Sequence, residues 1–146
     1  MRNVIVLMAG ALALSACDLG TEDEAITAEL AEKRELMDSA LFCMKANNEN
    51  GQILLALSEI EDDQAEAAEI REQAEQFLPP IEAFESYARN RSDEMELTVQ
   101  EFETAEAEAA AWFSDRHDEV DFEQYVTEVV GAVSECKTDV EAGKFD

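Results

Sequence analysis

The 146-residue chain has few residues that break helices, with five Gly and two Pro. It has almost no runs of β-branched residues. No stretch alternates apolar and polar residues as a half-buried strand would, so sheets, sandwiches and barrels are excluded as the expected architecture. Positive charge is scarce: ten Lys and Arg stand against 36 Asp and Glu, a net charge of −26. Nucleic-acid binding rests on Lys and Arg neutralising phosphates, so nucleic acid is excluded as a partner. Extended contact with anionic lipid headgroups is disfavoured for the same reason. The chain has one His, no Gly-rich phosphate loop, no Cys-x-x-Cys redox pair and no Cys-x-x-Cys-His for covalent haem. The Glu-x-x-His helix motif of di-iron bundles is missing, as is the twelve-residue ligand pattern of a calcium loop. No Ser-His-Asp or Cys-His set is suggested by spacing. These absences lead us to expect no catalytic residues, no cofactor and no tightly held metal.

What is present is helix-forming. Ala, Glu, Leu and Gln dominate, and apolar residues recur at steps of three and four. The spacing predicts a first helix ending near residue 46, with Ile26, Leu30, Met37, Leu41 and Met44 on its apolar face. Thr21 and Glu24 form its capping box. Asn47-Asn48-Glu49-Asn50-Gly51 reads as a stop and turn. A short helix over residues 52–61 follows, with Ile53, Leu57 and Ile60 facing one way, and Asp62-Asp63 marks a break or cap. The cleanest period is Ala67, Ile70, Ala74, Phe77, Ile81, Phe84 and Ala88. It keeps its phase through Pro79-Pro80, which predicts a kink or a restart that holds one face on the core. Asn90-Arg91-Ser92-Asp93 reads as the next break, with Ser92 as N-cap. A fourth stripe carries Met95, Val99, Phe102, Ala105, Ala109 and Phe113. Asp121 with Gln124 caps a fifth, with Phe122, Val126, Val129, Val133, Cys136 and Val140, which frays near Gly143. Each helix is too acidic outside to stand alone and must bury its stripe against the others. The expected fold is an all-α antiparallel bundle of four to five helices over residues 23–146.

The amino-terminal end has a separate character. Arg2 precedes an apolar run over residues 4–13, far short of the roughly 20 residues needed to span a bilayer. The run ends in Leu14-Ser15-Ala16-Cys17. A charged start, an apolar stretch and small residues describe an export signal, and Leu-Ser-Ala-Cys resembles the lipobox of bacterial lipoproteins. The resemblance implies a signal peptide over residues 1–16 and cleavage before Cys17. It also implies diacylglycerol on the Cys17 thiol, a further acyl chain such as palmitate on the new amino terminus, and a tether over residues 17–22. More than one chain gives stable anchoring. Asp18 resembles the inner-membrane retention signal of enteric lipoproteins, which favours the inner membrane and leaves the outer membrane open. In either case the domain would face the periplasm.

With Cys17 taken by lipid, Cys43 and Cys136 remain. In an oxidising envelope two leftover thiols usually pair, so a Cys43–Cys136 disulfide is expected. The competing arrangement is two buried free thiols acting as small apolar residues. Other candidate positions are weaker. His117, with Asp115, Asp118 and Asp121 around it, reads as a solvated residue of a connection. Glu59, Asp62, Asp63 and Glu66 form the densest acidic cluster, suited to weak surface binding of calcium or magnesium. Most aromatics fall on the stripes and read as core, while Tyr87 and Trp112 flank them and are the pocket or interface candidates.

The leading functional expectation is a membrane-anchored interaction module whose acidic surface meets a basic envelope protein or cations. The alternative is a bundle that holds a small apolar ligand beside its many alanines. An envelope enzyme using dispersed carboxylates ranks last.

Overall fold

The computed structural model describes residues 20–146, and their side chains from residue 25 onward. The proposed signal peptide, Cys17 and the Thr21–Glu24 capping pair lie outside the described residues or side chains. The described residues form five helices and no strand: α1 (Gly20–Ile60), α2 (Gln64–Glu75), α3 (Leu78–Glu94), α4 (Val99–Glu119) and α5 (Phe122–Glu141). The fold is all-α, as the composition implies. The helix starts at Gly20, so it takes in the last residues of the stretch read as tether.

α1 is the axis of the bundle, and every other helix packs on it. α2 and α3 run back along it in succession: Gly51 faces Ala74 and Phe77, and Lys33 reaches Glu94. α5 is also antiparallel to α1, with Tyr125 bonded to Glu49 and Cys136 joined to Cys43. α4 packs on both α1 and α5 and is tied to α1 by Lys45–Glu106 at 2.7 Å. The core joins Met37, Ala40, Leu41 and Met44 of α1 to Phe84 and Ala88 of α3, Phe102 and Phe113 of α4, and Tyr125 and Val129 of α5. The Cys43–Cys136 disulfide, with a Cα–Cα distance of 5.6 Å, clamps α5 to the middle of α1.

Three features depart from the sequence reading. First, residues 47–51 are not a turn, because α1 passes straight through them. Asn47, Asn50 and Gly51 are buried, and the Asn47 side chain donates to the Cys43 carbonyl at 2.8 Å. Asn and Gly cost a helix up to about 1 kcal/mol each. Here α2 and the start of α3 cover them, and tertiary packing overrides propensity.

Second, Ser92 is no cap. It is buried inside α3, which runs on to Glu94. The break comes at residues 95–97, where Glu96 takes a left-handed φ of 54°. Glu96 N–H then donates to Asp93 O and Leu97 N–H to Ser92 O, the two bonds of a Schellman cap. The N-cap of α4 is Thr98, in a reciprocal box with Glu101. Third, stripe residues toward helix ends face solvent: Ile60 is 77% exposed, Val99 75%, Ile26 57% and Phe122 56%, and Leu30 and Val140 are exposed as well. A stripe is buried only as far as its neighbours extend, and these positions lie past that point.

The remaining helix starts fall where the sequence places them. Asp63 caps α2 by accepting from the Ala65 and Glu66 amides. Asp121 caps α5 by accepting from Gln124 N–H, although the Gln124 side chain turns to Glu128 instead of back to the cap. At Pro79-Pro80 the chain stops and restarts. Glu75 ends α2, Leu78 opens α3, and both prolines lie in its first turn, where their missing amides cost nothing. Ala67 and Ala74 before the break and Phe84 and Ala88 after it stay buried.

Candidate ligand groove

α3 and α5 both pack on α1 but scarcely on each other, and the space between them is a cleft of about 820 Å³. This is within the roughly 300–1,000 Å³ of small-molecule sites. Pro80, Ala83, Phe84 and Tyr87 of α3 form one wall, and Val133, Lys137 and Val140 of α5 the other. Asn47 of α1 lies at the base, and Gln76 and Phe77 of the α2–α3 turn, with Pro79 in the first turn of α3, close one end. The spacing explains the walls. Positions 80, 83, 84 and 87 fall on one helical face, as do 133, 137 and 140. The prolines present ring carbons and no amide, and Ala83 leaves room where a longer side chain would fill it.

Phe145 closes the other end. Gly143, at φ 75°, turns the chain after α5. Gly143 N–H donates to Val140 O and Lys144 N–H to Asp139 O, and the Lys144 ammonium lies 2.8 Å from the Asp139 carboxylate. This hook brings the Phe145 ring edge-on to Phe84 and Tyr87, with both centroid distances 5.2 Å. The Tyr87 hydroxyl is buried with no hydrogen-bond partner. The Arg91 guanidinium lies over the Tyr87 ring at 4.8 Å. Tyr87 is the first cause of the raised Arg91 pKa, followed by Glu94, but the contact is with the ring, and the geometry at the hydroxyl falls short of a hydrogen bond.

Tyr87 is therefore a groove residue, as its position beside the stripe suggests. Trp112 is not. It packs edge-on to Phe42 and Phe113 on another face of the bundle. Sequence reasoning missed Phe145, Lys137 and Asn47. Phe145 follows a predicted fray, Lys137 sits among acids on a solvated face, and Asn47 belonged to a predicted turn. The one available signal was Gly143 followed by an aromatic, which is a helix stop with something apolar to dock.

The other candidate positions do not converge on a site. His117 is in the last turn of α4, not in a connection. It is exposed, its ring lies edge-on to Tyr125, and its Nδ1 is 3.6 Å from Asp118. Glu59, Asp62, Asp63 and Glu66 are exposed around the α1–α2 break. The Asp63 carboxylate is taken up by capping α2, and among the described residues no three Asp, Glu, His or Cys side chains gather as a cation cage.

The shifted titrations belong to structural contacts. Arg116 forks onto Glu128 across the α4–α5 junction. That bond, with help from Gln124, holds the Glu128 carboxyl down at about 2, and Arg116 is raised in turn by Glu128 and Glu119. Burial, reinforced by Glu49, pushes the Tyr125 phenol well above its usual range.

No family model, curated protein or solved structure matches this chain.

Proposed function

We propose that this protein is a lipid-anchored envelope protein whose helical bundle holds a small apolar ligand in the groove between α3 and α5. The observation that carries the reading is the groove itself, an apolar cleft of ligand size on a surface otherwise crowded with carboxylates. The Leu14-Ser15-Ala16-Cys17 sequence supports the anchor. No helix among the described residues is long and apolar enough to cross a membrane, which is compatible with attachment through acylated Cys17. Residues 25–32 of α1 are exposed and add about 12 Å of bare helix between that attachment and the bundle.

Two experiments test the reading. Mass spectrometry of the native amino-terminal peptide should find acyl chains on Cys17, and Cys17→Ser should remove them. The full chain carrying Cys17→Ser should bind decanol at one site by calorimetry, and Ala83→Trp, which fills the groove from an exposed position, should abolish that binding.

The acidic surface supports a second reading, an interaction module for a basic envelope protein. Its mark is salt: such a partner elutes as ionic strength rises, whereas an apolar ligand does not.

A further inference from the structure

We infer that the groove takes a single-chain amphiphile with an anionic head, and that Lys137 receives the head. This rests on the groove reading above and adds the charge of the ligand. Asp and Glu make up about a quarter of the chain, yet none of the twelve groove residues is acidic, and Lys137 is the one charged member. A cationic ligand would find no counter-charge on these walls, in a protein that supplies carboxylates almost everywhere else.

Lys137 is accessible to a ligand. Its ion-pair partner among the described residues is Glu141, at 3.9 Å, and the ammonium side chain is 77% exposed. It lies about one turn from both Val133 and Val140 on α5. An alkyl chain seated against those valines and Phe84 would bring its polar end within reach of the Lys137 ammonium. A carboxylate and a phosphate share the required chemistry.

The ligand is a separate molecule. α1 rises about 40 Å between Gly20 and Asn47. An acyl chain reaches about half of the roughly 30 Å hydrocarbon core, and three residues of chain add about 10 Å. Lipid on Cys17 therefore falls short of the Asn47 base of the groove in its own molecule.

The test uses the oxidised full chain with Cys17→Ser, titrated by calorimetry with decanoate, decyl phosphate, decanol and decyltrimethylammonium. One anionic probe or both should bind at one site about two- to fivefold more tightly than decanol, the preference an exposed ion pair supports. The tighter of the two identifies the head as carboxylate or phosphate. Lys137→Gln, an exposed change that should leave the melting curve in place, should reduce the anionic probes to the decanol level. Ala83→Trp should remove them all. Equal binding of decanol and both anions, lost in Ala83→Trp, would overturn the assignment of charge and keep the groove. Preferred binding of the cation at the groove would also overturn it. Binding that ignores Ala83→Trp, or no binding, would overturn both.

Discussion

At the scale of single residues, Tyr87 exposes a trade between packing and hydrogen bonding. Its ring is useful, forming part of the groove wall and the seat of Phe145, but its hydroxyl is buried without a partner. A buried hydroxyl left unmade costs about 1–3 kcal/mol. Tyr87→Phe keeps the ring and removes the orphan, so it should match or exceed the native melting temperature. Urea unfolding checks this. A loss of more than about 1 kcal/mol would mean that the hydroxyl has a partner. The residue scale is also where the sequence was least legible. Nothing in Lys137 distinguishes it from the other Lys and Arg of the chain until α5 places it between Val133 and Val140, facing α3. Its role depends on what it faces, and no local pattern encodes that.

At the scale of elements, two Schellman caps end helices in the same way with different residues. Gly143 takes the left-handed position after α5, and Glu96 takes it after α3. A side chain with a Cβ is strained there, and Gly is not. Glu96→Gly should stabilise the protein by about 1 kcal/mol, seen as a rise of about 3–5 °C in the melt. Glu96→Gln removes the same negative charge but keeps the Cβ, so it separates relief of strain from relief of repulsion. It should deliver only a fraction of the gain. Gly131 is the opposite case. It lies exposed inside α5, and a Cβ there meets nothing within 4 Å. Gly131→Ala should add up to about 1 kcal/mol through helix propensity alone, with circular dichroism melts as the check. These positions also show why element boundaries were legible only in part. Asp63, Asp121 and the Pro79-Pro80 restart are marked by local chemistry and fall where the sequence places them. The Asn47–Gly51 run has equally strong turn chemistry, yet it is helical because α2 and α3 cover it. The Thr98–Glu101 box was hidden by the apolar steps Met95, Val99 and Phe102, whose phase runs across a real break.

At the scale of the whole molecule, a thin Ala-rich core works against a large self-repulsion. The disulfide offsets part of this. It closes a separation of 93 residues, for which chain-entropy models give about 4–5 kcal/mol. Reduction should therefore lower the melting temperature sharply, and thiol titration of the oxidised protein should find no free Cys43 or Cys136. The repulsion has its own signature. With a net charge of −26 at pH 7, the folded state crowds carboxylates that the unfolded chain spreads apart. Added salt should raise the melting temperature over the first few tenths molar. Glu128 sets a limit in pH. Arg116 holds its folded pKa at about 2, below its ordinary 4.5. The folded state binds that proton less readily than the unfolded chain, so the contribution of Glu128 is complete above about pH 4.5 and is lost as pH falls toward 2. Glu29 and Glu101, lowered by their hydrogen bonds to Lys33 and Thr98, act in the same direction. The stability these carboxylates supply should therefore fall as pH drops below about 4.5. In Glu128→Gln the acid limb should be shallower, because one fewer carboxylate must be protonated to unfold the protein. An unchanged acid limb in that variant would show that the Arg116 fork contributes nothing to the fold.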